Sequence, residues 1–325
     1  APTDFLAGLT TAMANGDAEA RVGCAVHVYL ANRSMEDTAI ANFDGEMLIA
    51  PQEGRLSIVT ELGRLTVAPG EIVVVPRAMR FRVDLLDATA RGFVGENYGN
   101  HLRLPELGPI GANGLANPRD FQTPVAAYED RAASLRLVVK HVGTLWETVL
   151  DRSPFDVVAW HGNLAPYKYD LHRFVAMNTV TFDHADPSIF TVLTSPSGQP
   201  GVANLDFVIF PPRWLVAENT FRPPWFHRNV MSEFVAAIQG SPEARAHGFP
   251  PGSFHLHNCH IPHGPDPAVF DRGSNVELVP QRDETLAIMF ESRLPFRPTK
   301  AALGHAARAA DYDANWDGLE VRFTG

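Results

Sequence analysis

From Val22 onward, short runs of apolar residues alternate along the chain with residues that favour turns. Asp44-Gly45 and Pro69-Gly70 are two of the turns that separate these runs. The apolar runs of the first half are VGCAVHVYL, MLIAP, LSIVTEL, LTVAPGEIVVVP and FRVDL. Many short strands at close spacing predict a β-sandwich or β-barrel. The connections are also too short for parallel β-α-β crossovers, which need about a dozen residues or more.

The same pattern returns in the second half of the chain, in the runs LRLVVK, IFTVL, DFVIFPP, VMSEFVAAI and TLAIMFES. We therefore predict a mainly β protein with two successive β-barrels of the cupin or jelly-roll type. The turn-rich stretch HGNLAPYKYD, at residues 161–170, is the predicted junction. It divides the chain into an N-terminal domain of residues 1–165 and a C-terminal domain of residues 166–325.

Both ends of the chain predict helices that flank the barrels. At the start, Thr3 or Asp4 can cap a helix with an apolar face, and Asn15-Gly16 supplies a stop signal. The apolar residues of that face are Phe5, Leu6, Leu9 and Met13. At the other end, the stretch AALGHAARAADYDANWDGL predicts a closing helix.

Composition narrows the possible partners and the compartment. The net charge is −10, with 37 acidic and 27 basic side chains, which disfavours binding to nucleic acid. No run of about 18 apolar residues is present, so we expect no transmembrane helix. The two cysteines, Cys24 and Cys259, are too few for a disulfide framework and predict free thiols in a reducing cytoplasm.

Candidate chemistry is concentrated in two neighbouring segments of the second half. FHLHNCHIPHGPD brings several histidines close together, and FRPPWFHRNVMSEF upstream contains His227 and Glu233. Side chains on a strand repeat every two residues, so positions 227 and 233 would share a face. In a helix the same spacing would place them about 120° apart, too far for one metal ion.

A histidine, a glutamate and a second histidine from another strand form the facial triad of non-haem iron(II) enzymes. In the usual cupin pattern the second histidine would fall at position 229, which is Asn229 here. The third ligand must therefore come from the histidine cluster at residues 255–263. In the first half, Arg80 stands where a cupin ligand is expected, which predicts a metal-free scaffold for that domain.

At these residues the sequence resembles the homogentisate 1,2-dioxygenase family, over essentially all 325 residues. The resemblance rests on LGPIGANGLANPRDF, VVAWHGN, PYKYDL, FDHADPSIFTVLT, DFVIFPPRW, TFRPP, HRN, MSEF and IPHGPD. The family has a further N-terminal segment, so we expect this chain to be part of a longer protein.

The resemblance implies one iron(II) ion bound by His227, Glu233 and His263. It implies that His184 is the catalytic acid/base and that His257 is a second histidine of the substrate pocket. The reaction implied is cleavage of homogentisate by O₂ to maleylacetoacetate, a step in tyrosine and phenylalanine catabolism. The implied assembly is a hexamer built from trimers.

The sequence departs from the family at Pro242, where the family has a tyrosine that contacts the substrate. Proline cannot donate that hydrogen bond, and Asn229 is the predicted replacement. His255 and His260 are expected at the surface or outside the ligand set. Two alternatives remain open: ring cleavage of another hydroquinone or a gentisate-like acid, and a bicupin that binds metal without catalysis.

Overall fold

The computed structural model describes residues 1–107, 115–156, 164–177, 190–215, 226–241 and 249–324. The strands of the first half are β1 (Leu9–Asp17), β2 (Val22–Ala31), β3 (Thr38–Asn42), β4 (Glu46–Glu53), β5 (Leu56–Thr60), β6 (Gly63–Val67), β7 (Glu71–Val75), β8 (Arg80–Leu85), β9 (Ala90–Asn97), β10 (Ala132–His141) and β11 (Thr144–Arg152). Those of the second half are β12 (Tyr167–Asp170), β13 (Thr191–Pro196), β14 (Ala203–Phe210), β15 (Arg213–Leu215), β16 (Ser232–Gln239), β17 (Phe254–His257), β18 (Gln281–Asp283), β19 (Leu286–Ser292) and β20 (Arg297–Pro298).

Helices in the described residues are few and short. The α-helices are α1 (Pro267–Asn275) and α2 (Lys300–Leu303), and the 3₁₀ helices are Pro118–Asp120, Leu171–Arg173 and Tyr312–Trp316. None of the helices in the described ranges has the length and apolar character needed to cross a membrane.

Three sheets carry most of the strands. The central sheet has the order β12-β7-β4-β9-β2-β1-β20, the outer sheet β11-β10-β3-β8-β5-β6, and the C-terminal sheet β13-β14-β19-β16-β17. A small fourth sheet pairs β15 with β18. Within the described residues each of these sheets is open, so the mainly β class is confirmed but the prediction of closed barrels is wrong.

The central sheet is buried on both of its faces. Val73 and Val75 of β7 belong to a core shared with the outer sheet. Ile72 and Val74, which alternate with them, belong to a core shared with the C-terminal sheet. Side chains point alternately to the two faces of a strand, so the uninterrupted apolar run in β7 is what a doubly covered strand requires.

The predicted N-terminal helix is wrong, because β1 pairs antiparallel with β2 from Leu9 onward and only residues 5–8 form a turn in this segment. Its apolar residues serve two different cores: Phe5 packs on the side of the outer sheet and Met13 on the side of the C-terminal sheet. Gly16, expected to stop a helix, has φ +68 next to the turn into β2. A Cβ there would lie 2.0 Å from the carbonyl oxygen of Val22, so the strand pairing itself requires glycine.

The predicted closing helix is also wrong as a single element. Helix α2 ends at Leu303, and a separate 3₁₀ helix follows at Tyr312–Trp316. Residues 304–311 between them are exposed. Most helical stability in proteins comes from packing an apolar face, so alanine-rich composition alone does not extend the helix.

Strand β12 lies just beyond the division predicted at residue 165, and it pairs with β7 in the central sheet. At the C-terminus, β20 pairs with β1 of the same sheet. The division into residues 1–165 and 166–325 stays a prediction.

A buried ion pair joins the central sheet to the outer sheet. Glu96 of β9 is 1% exposed and accepts from Lys140 Nζ of β10, which lies 2.5 Å from both of its carboxylate oxygens. His27 Nε2 at 3.0 Å and Asn42 Nδ2 at 2.6 Å are further partners. Burial opposes ionisation, but His27 and Lys140 together lower the pKa of Glu96 to about 2.

We predict that Lys140→Met lowers the free energy of unfolding by about 3–5 kcal/mol, because it leaves a buried carboxylate without its cation. Urea denaturation at neutral pH measures this loss. The exposed Lys300→Met variant, without an ion pair among the described residues, is the control and should change stability by less than about 0.5 kcal/mol.

The sign of the pH dependence follows from the lowered pKa of Glu96. Its stabilising contribution is present above the ordinary carboxyl pKa of 4.5 and is lost as the pH falls towards about 2. The difference between the wild-type protein and Lys140→Met should therefore shrink on acidification. A difference that stays constant between neutral pH and pH about 3 would contradict the proposed ion pair.

Candidate metal centre

The candidate site lies on one face of the C-terminal sheet. Glu233 of β16 pairs in register with His257 of β17 and with Glu291 of β19. Residues paired across strands point to the same face, so these three polar side chains form a row. The next row, Phe234 with Phe290, points the other way, towards the central sheet. On the face of the polar row, the next row along the strands is the apolar pair Val235 and Met289, which belongs to the core.

His227 and His263 are brought together by an isolated antiparallel bridge. The backbone N–H of each donates to the carbonyl of the other at 2.9 Å, and their rings lie 4.3 Å apart at 63°. The pattern predicts His227 and Glu233 on one strand, but β16 begins only at Ser232. That interpretation of the spacing is wrong. His227 lies close to Glu233 because the bridge holds it next to His263.

One ligand atom each from His227, Glu233 and His263 lies within 4.8 Å of the others. Glu233 and His263 are buried, and His227 is partly exposed. Nδ1 of His263 donates to the carbonyl of Ile261 at 3.0 Å, which leaves Nε2 facing the Glu233 carboxylate at 3.2 Å. That nitrogen can carry a proton to the carboxylate or offer a lone pair to a cation. Two imidazoles and one carboxylate therefore fit a metal ion in the facial-triad arrangement.

The surroundings of Glu233 favour the ionised form of its carboxylate. Burial alone would raise its pKa, but hydrogen bonds from His257, His263 and Asn229 hold the pKa of Glu233 well below its usual range. The side chain is therefore an anion at neutral pH. An ionised carboxylate is the form that ligates metals.

His257, predicted to contact the substrate, lies beside the triad. Its Nδ1 is 3.5 Å from the Oε2 of Glu233, and its ring stacks on that of His263 with centroids 3.7 Å apart. The hydroxyl of Tyr312 lies 3.2 Å from its Nε2. The position borders the candidate metal site, and the substrate-binding role of His257 stays a prediction.

Asn229, the other predicted substrate contact, holds the carboxylate of Glu233. Its Nδ2 donates to Oε1 of Glu233 at 3.0 Å and also to Oε1 of Glu291. Its Oδ1 accepts from the backbone N–H of Met231 at 2.9 Å. The amide is therefore fixed in orientation between two buried carboxylates, and its contact with the substrate stays a prediction.

Other residues singled out in the sequence lie elsewhere. His184, the predicted acid/base, and Pro242 are both outside the described residues. The ring of His255 packs at a tilt of 42° against that of His257, with centroids 4.5 Å apart, and the exposed His260 has a left-handed φ of 64. In the outer sheet, Arg80 forms an ion pair with Glu61.

Two residues near the triad, Glu291 and Tyr312, were not predicted from the sequence. Glu291 has a signal in retrospect, because it is a charged residue in the otherwise apolar run TLAIMFES. A buried charge in such a run points to a polar partner. Tyr312 has no local signal, since it lies 55 residues from its partner His257.

The fold and the site together define a β-sheet protein with a candidate two-histidine, one-carboxylate metal centre. Comparison with family models gives the family. The homogentisate 1,2-dioxygenase N-terminal model matches residues 1–171, and the C-terminal model of the same family matches residues 172–323. The chain belongs to the homogentisate 1,2-dioxygenase family, which implies a dioxygenase-type function.

Several solved structures show a distant likeness. A deletion mutant of Bacillus subtilis oxalate decarboxylase has 10% identity and a TM-score of 0.36, covering 86% of this chain and 72% of its own. Vicilin from hazelnut, Corylus avellana, has 10% identity and a TM-score of 0.34, covering 85% and 77%. A cupin 2 conserved barrel domain protein from Leptotrichia buccalis has 8% identity and a TM-score of 0.31, covering 87% and 88%. At these scores the likeness carries no argument, and the assignment rests on the family models.

We predict that Asn229→Asp destabilises the metal-free protein by about 3 kcal/mol or more, because a third carboxylate replaces the donor shared by two buried ones. Chemical denaturation of the metal-free protein measures the effect. Asn275→Asp, at the exposed end of α1, is the matched control and should cost less than about 1 kcal/mol. Equal losses in the two variants would mean that Asn229 does not hold the carboxylates apart.

Proposed function

We propose that this protein cleaves the aromatic ring of homogentisate with O₂ to give maleylacetoacetate, using Fe(II) held by His227, Glu233 and His263. One observation carries the proposal: these three ligand atoms lie within 4.8 Å of one another in a chain of the homogentisate 1,2-dioxygenase family. Bound Fe(II) would supply open coordination positions at which a hydroquinone and O₂ meet, since the protein provides only three ligands.

The residues around the triad prepare it for that ion. The His263 Nδ1 bond to Ile261 orients the ring so that Nε2 faces Glu233. A ligating imidazole usually donates its other ring N–H to a carboxylate or a backbone carbonyl, which fixes the orientation of the ring and raises its basicity. Asn229 holds the second oxygen of Glu233, and we propose that it also contacts the substrate in place of the family's tyrosine.

A hydroquinone must lose a phenolic proton, and the pKa of a free phenol is about 10. A neutral histidine close to that hydroxyl can accept it as a general base. By the family resemblance we propose His184 for this role. His257, buried against His263, is proposed to contact the bound ring.

The family resemblance also leads us to propose a homo-oligomer, a hexamer built from two trimers. Sedimentation velocity of the purified protein would test this.

A second candidate substrate follows from Pro242, where the family has a substrate-contacting tyrosine. Without that hydroxyl, another hydroquinone or a gentisate-like acid becomes a reasonable substrate. Turnover of a small panel of such compounds separates this candidate from homogentisate. If a member of the panel is consumed faster than homogentisate, the substrate assignment changes while iron-dependent ring cleavage stands.

The decisive experiment is oxygen uptake by the Fe(II)-reconstituted protein on addition of homogentisate. We expect stoichiometric uptake and formation of maleylacetoacetate in the wild-type protein. Glu233→Gln should lose bound iron and activity together, because it removes an anionic ligand. Glu277→Gln, an exposed site, is the control and should retain both. If the wild-type protein binds iron but consumes no O₂ with any hydroquinone, the protein is a metal-binding member of the fold without catalysis.

We further predict that His184→Ala retains iron but loses turnover by about 10²- to 10⁴-fold, the usual contribution of a general acid/base. Metal analysis and steady-state kinetics on the same sample separate these two effects. His141→Ala, exposed at the end of β10 in the outer sheet, is the matched control. Loss of iron in His184→Ala, or a rate close to that of the control, would remove His184 from the proposed role.

A further inference from the structure

The chain that follows α2 returns to the candidate metal centre. Trp316 Nε1 donates to the carbonyl of Gly264 at 3.2 Å, one residue beyond the triad residue His263. Further along, Arg322 forms an ion pair with Asp271 of α1 at 2.6 Å. These contacts attach the C-terminal segment, residues 304–324, beside the triad. The segment is thereby placed to act on the site.

Tyr312 is the residue of this segment that reaches the row of polar side chains. Its hydroxyl lies 3.2 Å from Nε2 of His257, and its ring packs edge-on against Trp316 with centroids 5.5 Å apart. On the other side of the same imidazole, Nδ1 is 3.5 Å from Oε2 of Glu233. Tyr312, His257 and Glu233 therefore form a continuous line from the C-terminal segment to the triad.

The chemistry of these groups sets the direction of the hydrogen bond between Tyr312 and His257, and it sets which nitrogen of His257 faces Glu233 in the longer 3.5 Å contact. An ionised carboxylate can only accept, so the proton of a neutral His257 belongs on Nδ1, facing Glu233. Nε2 then carries a lone pair and must accept. The Tyr312 hydroxyl is the donor that matches it.

We propose that Tyr312 is a positioning residue of the metal centre, which through His257 fixes the Glu233 carboxylate for binding the metal. This rests on the proposed role of His227, Glu233 and His263 as ligands. Partners of metal ligands in the outer shell typically contribute about 10- to 100-fold to metal affinity. The ring stacking of His257 on His263 extends the same effect to a second ligand.

The test is the dissociation constant for Fe(II), measured anaerobically by competition with a chelator. In Tyr312→Phe we expect it to rise about 10- to 100-fold. The visible ligand-field spectrum of the Co(II)-loaded protein should change as well, because the carboxylate is less well oriented. Tyr128→Phe, which removes an exposed hydroxyl elsewhere, should leave both the constant and the spectrum unchanged.

Two further variants separate positioning from mere attachment of the segment. Arg322→Gln breaks the ion pair to Asp271 and leaves the Tyr312 hydroxyl in place, so it should keep the wild-type affinity. In a His257→Ala background, Tyr312→Phe should have no additional effect, because its route to Glu233 is already lost. An additional loss in that background, or an equal loss in Arg322→Gln, would overturn the proposal.

The possible failures are distinguishable. If the wild-type protein does not bind Fe(II), the proposed function fails and the role of Tyr312 fails with it. If the wild-type protein binds Fe(II) and Tyr312→Phe binds it equally well, with an unchanged Co(II) spectrum, only the role of Tyr312 is refuted.

Discussion

The ionised carboxylate of Glu233, buried within a sheet, is the group on which the arrangement of the site depends. An isolated carboxylate in an apolar environment carries a very large desolvation cost, so its neighbours must compensate for it. Three segments do so: the loop that carries Asn229, strand β17 with His257, and the bridge that carries His263. Donors that stabilise the anion also assemble a ligand set. The need to compensate the buried charge of Glu233 therefore arranges these side chains independently of a bound metal.

The same strands connect the site to the core. One residue beyond Glu233, Phe234 points to the opposite face, together with Phe290 and Phe207 of the neighbouring strands. The ring of Phe290 packs so closely on Gly95 of β9 that a Cβ there would lie 2.3 Å from it. A slip of one residue in register would exchange the aromatic row with the acidic one. Packing against the central sheet therefore fixes which face carries the ligands.

Strand content was predictable where a strand is buried, because apolar runs report burial. Strands β2, β4, β7 and β19 coincide closely with runs that the sequence shows. Strand β11, TLWETVLDR, was missed because nearly all of its residues are exposed and its apolar residues form no continuous buried run. The N-terminal segment was misjudged for a different reason. Its apolar residues face two separate cores, and a one-dimensional pattern cannot distinguish two half-buried faces from one helical face.

The site was predictable in its residue types and less so in its geometry. The clustering of histidines and glutamate in the sequence indicated the segments around His227 and His263. The bridge between these two residues depends on backbone pairing, which cannot be predicted from the spacing of residues along the chain. Glu291 and Tyr312 were missed for the same reason. They meet the site through strand register and through the return of the C-terminal segment, and both are properties of the folded chain.

The residue at position 229 depends on the charges that surround it. The usual cupin pattern would place a second histidine at this position, so asparagine looks like the loss of a ligand. In the structure its amide donates to two carboxylates, Glu233 and Glu291, that face it from adjacent strands. An imidazole turned towards a metal would withdraw that donor from both. The presence of Glu291 beside Glu233 therefore favours an amide at position 229, and the second histidine of the triad is supplied from the bridge by His263. The asparagine at position 229 and the supply of the second histidine by His263 therefore both follow from the two adjacent carboxylates of Glu233 and Glu291.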